Sequence, residues 1–129
     1  MMELALLSPW IIFLFIGAFD WGFYAYSLIT LETATRAAVV YTSASSTNAA
    51  DSTTACNILL NEMSTLTNMT NVTSCSGSPL VLSLTTPGGP DGFTASKVSV
   101  TYTTPALIPI PGLLAKQFTI TRTITMRIA

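Results

Sequence analysis

Residues 4 to 31 read LALLSPWIIFLFIGAFDWGFYAYSLITL, an apolar stretch broken by one charge, Asp20, with Glu3 just ahead of it. Roughly 20 apolar residues, rising about 1.5 Å each along a helix, cross the hydrocarbon of a bilayer, so this stretch is long enough to span one. The two acids do not suit a plain anchor. An ionised carboxylate at the centre of a membrane helix costs several kcal/mol, and such a residue usually has a specific partner or faces protein. The physical reading is an apolar helix whose final neighbours are other helices rather than lipid.

A secretory signal begins with a basic region and ends its apolar core after about 7 to 15 residues at a small-residue site. Here the chain begins MMELALLSP, with an acid where bases belong, and the apolar run is longer, so the segment is expected to be retained. No Lys or Arg precedes it, so the positive-inside rule sets no orientation. Removal of a short basic leader, leaving Met1 as the mature first residue, is one expectation; the intact mass of the mature chain tests it.

The remaining two thirds of this 129-residue chain can bury only a modest core, so a crosslink or partner subunits are expected to add stability. The net charge is −1, and the five basic residues are scattered. Nucleic-acid binding is not expected, because no basic patch exists to neutralise phosphates. After residue 41 the chain turns toward Ser and Thr, which suits a hydrated external surface and O-linked sugar.

Helical character continues beyond the apolar core. Glu32 and Arg36 stand four apart, acid first, the favourable order for an intrahelical ion pair. The first helix is expected from about residue 2 to 46, with Pro9 removing one backbone bond and producing a kink or stretched turn. Asp51 or Ser52 is placed to cap a second, shorter helix, whose Ala55, Ile58, Leu59 and Met63 form one apolar face. Residues 65–78 read as loop. Strands are expected at 79–85, 96–104 and the alternating KQFTITRTITMRIA ending, with PALIPIPGLL (105–114) as a proline-punctuated apolar loop. The fold class is α+β: a long hydrophobic helix, a short helix and an antiparallel sheet of about three strands. The division is residues 1–46 for the membrane or filament-core helix and 47–129 for an external domain.

Cys56 and Cys75 both fall in the external part. They are read as a disulfide closing a loop of roughly 20 residues, worth about 3 kcal/mol in the chain-entropy view, with two free thiols as the alternative. The chain has no His, so a Cys/His metal site is not available. Asn68-Met69-Thr70 and Asn71-Val72-Thr73 fit the N-glycosylation pattern, which also arises by chance in Thr-rich sequence. No paired acids stand in a recognisable motif, and Gly88-Gly89 lacks the lysine and context of a phosphate loop. Neither catalysis, a cofactor nor a small-molecule substrate is expected.

The segments Glu3 to Pro9 (Glu-Leu-Ala-Leu-x-x-Pro), Gly17 to Gly22 (Gly-x-x-Asp-x-Gly) and Thr33 to Ala38 (Thr-Ala-Thr-Arg-Ala-Ala) resemble the TadE-like pseudopilins of bacterial tight-adherence pili. The ending ITRTITMRIA after a Pro-rich apolar loop is similar too, and the likeness thins between about 45 and 95. The resemblance implies a pilin-like lollipop and a prepilin processed by a membrane peptidase. Such a subunit is held in the inner membrane and then packed by its N-terminal helix into an extracellular pilus. Glu3 matches the acid near the mature N-terminus of such subunits, although fewer residues precede it here. Either the cleavage register differs, or Met1 is an initiator and no leader existed.

On this reading Met1, Glu3, Pro9, Gly17, Asp20 and Gly22 are the assembly residues. Glu3 would bridge to a terminal ammonium and fix axial register, or else hover at the membrane surface. Asp20 would accept a bond from Tyr24 or an adjacent helix, or be protonated on burial. Gly17 and Gly22 would permit close helix approach, or simply leave gaps. Trp10, Trp21, Tyr24 and Tyr26 are interfacial belt residues or packing. The expected function is a structural subunit that polymerises with copies of itself or other pilins. The alternatives are a low-copy pseudopilin that primes a pilus of another subunit, and a tethered adhesive module using loop 105–114.

Overall fold

Helix α1 (Met2–Ser43) runs through Pro9 without a break over 42 residues, about 63 Å at 1.5 Å per residue. The structure is a computed structural model that describes residues 2–89, 91–106 and 117–129, with side chains from Ala5 onward. Met1, the Glu3 side chain and most of the proline-punctuated segment 105–114 therefore lie outside the described residues. Along α1, Arg36 and Glu32 form the expected ion pair at 2.6 Å on an exposed face, where such pairs add only about 0.3–0.5 kcal/mol.

Helix α1 stops three residues before the expected end because a new cap begins. Ser45 is extended and its hydroxyl accepts the Asn48 N–H at 3.2 Å, starting the short helix α2 (Ser46–Ala50). Asp51 then caps α3 (Ser52–Glu62), taking the Thr54 N–H at 3.0 Å and the Thr54 hydroxyl at 2.6 Å. Of the two candidate caps, Asp51 is the one used. Two short helices thus stand where one was expected, since a single side chain in the low-complexity TSASSTNAAD stretch decides each start.

Four antiparallel strands follow in meander order: β1 (Ser76–Gly77), β2 (Leu80–Thr85), β3 (Ala95–Thr103) and β4 (Thr119–Arg127). The added strand, β1, has two residues, too few to show alternation, and lies in the segment read as loop. Register places Leu80 opposite Tyr102, Leu82 opposite Val100, and Leu84 opposite Val98. Val98 in turn faces Ile124, and Tyr102 faces Ile120. Alternation therefore delivers one apolar row per strand to one face and leaves Ser and Thr on the other, where Ser99 bonds Thr123 and Thr101 bonds Thr121 at 2.9 and 3.0 Å. At the edge of the sheet, Arg122 of β4 stands opposite Val100 on the core side yet stays exposed. A charge in that row discourages another strand from pairing there.

The apolar sheet face meets the C-terminal half of α1 and one side of α3. Leu31, Ala34, Ala38 and Val39 pack with Leu59, Met63, Leu66, Leu80, Val98, Val100 and Tyr102, all essentially inaccessible. The same helix face carries buried hydroxyls at Ser27, Thr35 and Thr42. Ser27 and Thr35 donate back to the Phe23 and Leu31 carbonyls at 2.9 and 2.7 Å, and Ser96 of β3 donates to Thr42 at 2.8 Å, so little polarity is left unpaired. At the far end of the domain the Ala129 N–H donates to the Ser43 carbonyl at 2.9 Å, tying the chain end to the end of α1.

Cys56 of α3 and Cys75 are joined in a disulfide spanning 19 positions, so the pairing expected from the sequence is present. In the chain-entropy view a loop of this size constrains the unfolded chain by about 3 kcal/mol. Replacing both cysteines by Ser should lower unfolding stability by about that amount in a denaturant titration; an unchanged midpoint would show that the crosslink is energetically idle.

Hydrogen bonds from the Thr54 hydroxyl, the Thr54 N–H and the Tyr41 hydroxyl hold the Asp51 carboxyl below its ordinary range. The folded chain thus takes up that proton at lower pH than the unfolded chain. Its contribution is present above the ordinary Asp range and fades as pH falls toward the lowered folded value. Asp51→Asn keeps a capping oxygen but should flatten the rise of stability with pH across the acid range, as read from thermal midpoints at a pH series.

Candidate assembly helix

From Ala5 to Tyr26 no side chain of α1 is buried; the first fully enclosed one is Ser27. That leaves a rod of about 25 residues, roughly 37 Å long, projecting from the head. Its sides are apolar all round: Trp10 is 68% exposed, Phe15 74% and Trp21 72%. A helix hydrophobic on every side belongs in a large apolar environment, either lipid or a bundle of other helices. By length and composition this is the one helix among the described residues able to cross a membrane.

The buried stripe of α1 (Ser27, Leu31, Ala34, Thr35 and Ala38) recurs at intervals of three and four. Continued up the rod at the same spacing, it passes through Tyr24, Asp20 and Gly17. Asp20 therefore lies on the side of the rod that faces the head below it. One of its oxygens, Oδ1, is enclosed and has no hydrogen-bond partner among the described residues. An unpaired enclosed carboxylate oxygen is costly, which makes Asp20 the position most in need of a neighbour among the described side chains of the rod.

Tyr24 makes two aromatic contacts. Its ring packs edge-on against Trp21 at 6.1 Å and against Phe118, just ahead of β4, at 5.4 Å. Next to it, the Tyr26 hydroxyl donates to Thr65 at 3.0 Å. The contacts with Phe118 and Thr65 tie the base of the rod to the head. Neither was legible in the sequence, because Phe118 is separated from Tyr24 by most of the chain and reads only as the start of a strand.

Gly17 and Gly22 both lie on the rod, and a Cβ added to either would meet nothing within 4 Å outside the helix's own backbone. Pro9 sits inside the helix on the exposed rod. The two sequon asparagines lie in the head, near its rod end. Asn68 accepts the Tyr102 hydroxyl and donates to the Thr103 carbonyl at 3.0 Å, so its amide is a structural tie, while Asn71 is exposed. Among the described residues, no group of three or more His, Cys, Asp and Glu is placed to hold a metal ion.

A family model described as TadE-like protein matches residues 1–40. Searches of curated proteins and of solved structures found no match. The matched span covers nearly all of α1 and includes the three N-terminal segments that carried the resemblance, Glu3–Pro9, Gly17–Gly22 and Thr33–Ala38. It does not reach the ending ITRTITMRIA. Over its long helix, then, the chain is similar to TadE-like proteins, while the head stands on its own geometry.

Because the rod makes few contacts with the head, a chain lacking residues 1–20 should fold with its disulfide intact. Its unfolding midpoint should lie within about 0.5 kcal/mol of the full chain, and it should need no detergent. Loss of cooperative unfolding in that truncated chain would show that the rod is part of the head's core.

Proposed function

We propose that the chain is a structural pilus subunit. On this reading it is held in a membrane by the first part of α1 and then polymerises through that helix into an extracellular filament. The observation that carries the reading is the change near Ser27, from a helix packed in a head to one with no buried side chain and most of its large apolar ones exposed. Covering that surface supplies the driving force. Each large apolar side chain taken fully out of water contributes about 1.5–3 kcal/mol, and the rod carries more than ten of them.

The likeness of residues 1–40 to TadE-like proteins supports placing the chain with pilus-associated, envelope-anchored proteins. Partners on this reading are copies of the chain or other pilins. Glu3 and Asp20 set register rather than adding much net energy, since the desolvation cost of a buried ion pair largely offsets its attraction. Asp20, with its enclosed oxygen, is the acid whose neighbour fixes how far one rod slides along the next. Asn71 is the better placed of the two sequon residues to carry sugar on the outer surface, because the Asn68 amide is already engaged.

Gly17 and Gly22 give the sharpest test. In the isolated chain their surroundings are open, so Gly17→Leu and Gly22→Leu should leave head stability unchanged. If close helix approach holds the filament together, each should abolish or shorten filaments seen by negative-stain electron microscopy of sheared cell-surface material. Filaments of normal length from both variants would remove the rod contacts from the account.

A further inference from the structure

Asp20 falls where the hydrocarbon of a bilayer would end, and the head's aromatic rim lies just beyond it. Glu3 and Asp20 stand 17 positions apart, about 26 Å along the helix, against a hydrocarbon thickness of about 30 Å. The residues between them, Leu4 to Phe19, carry no charge. Instead of one acid sitting mid-span, the two bracket the span, one at each surface.

Directly past Asp20 come Trp21, Tyr24 and Tyr26, the amphipathic rings that favour the boundary between tails and water. Tyr24 lies one turn on, about 6 Å further along the axis, and its ring touches Phe118 at 5.4 Å. Phe118 belongs to the head yet is 57% exposed. The headgroup layer on each side of a bilayer is about 5–7 Å deep, so Tyr24 falls within it and Phe118 packs against Tyr24 there. The Tyr26–Thr65 hydrogen bond ties a second part of the head to the helix about 3 Å further along the axis.

We propose that, before assembly, the head is seated on the lipid surface, with Phe118, Tyr24 and Trp21 embedded in the headgroup layer and Asp20 at the boundary beneath them. This rests on the membrane-resident stage of the function proposed above. The occupant of the rim is the phospholipid headgroup layer, because the rim is continuous with the apolar rod and lies at the depth the rod dictates. The embedded rim also holds the head at a fixed distance from the membrane while the rod waits for a neighbour.

Depth-dependent fluorescence quenching tests this on the full chain reconstituted in phosphatidylcholine vesicles, using lipids labelled at shallow and deep positions. The two native tryptophans are reporters: Trp21→Phe leaves Trp10, and Trp10→Phe leaves Trp21. Trp10 should respond most to the deep label and Trp21 to the shallow one. With both removed, Phe118→Trp should emit to the blue of a matching Phe93→Trp, which lies 54% exposed beside Arg127 toward the far end of the head. It should also be quenched several-fold more by the shallow label. If Trp10 is deep while the residue-118 reporter emits like the residue-93 reporter, the head stands clear of the membrane and the inference fails alone. If Trp10 is not deep either, the membrane-resident stage fails with it. Should the Phe118 variant not fold, Trp21 in the Trp10→Phe chain decides, and a water-like emission there overturns the proposal.

Discussion

The whole molecule depends on one helix serving two unlike surroundings at once. From Ser27 onward α1 presents a narrow face of small and hydroxylated side chains, on which α3 and the sheet close tightly. Ala34 and Ala38 let the partners approach, and the Ser and Thr hydroxyls stay quiet by bonding to their own helix one turn back. Before Ser27 the helix is mostly apolar, with Asp20 and the hydroxyls of Ser8, Tyr24 and Tyr26 among its polar groups from Ala5 onward. A single rigid rod can therefore be anchored in a folded head at one end and immersed in an apolar medium at the other. No hinge is needed between them, and a displacement of the rod is felt directly by the head.

The head is stabilised by means suited to its size. Its sheet supplies one apolar face, its disulfide links α3 to the approach to β1, and Asn68 ties the loop after α3 to the end of β3 through both amide atoms. Burial pushes the Tyr102 hydroxyl's pKa up, with the Asn68 bond acting in the opposite sense, so it remains a neutral donor to that amide at ordinary pH. The outer sheet face is a hydroxyl surface in which neighbouring strands satisfy one another. Arg122 on the core side of edge strand β4 discourages another strand from pairing there.

Much of this was legible in the residue pattern. Strict alternation in β3 and β4 located both strands and their apolar rows, because period two has few competing explanations over nine residues. The long helix, the Glu32–Arg36 pair and the Cys56–Cys75 bridge followed from spacing and composition. Local chemistry with no period was less visible. The caps at Ser45 and Asp51 each rest on one hydroxyl or carboxylate, and the two-residue β1 has no pattern to read. On the rod, the sequence marked Asp20 as needing a mate, in Tyr24 or an adjacent helix, but gave no sign that the Tyr24 ring packs on Phe118 across the fold. Contacts between distant segments leave no trace in local spacing.

What covers the rod in its final state decides the account. A photoreactive amino acid placed at Gly17 reports it, because that position is open in the isolated chain and lies on the stripe with Asp20. Irradiated in cells at the stage when surface material is present, it should yield a covalent product with a second copy of this chain or another pilin. A product with lipid alone at that stage would contradict the central claim, since the apolar rod would then end its life as a membrane anchor.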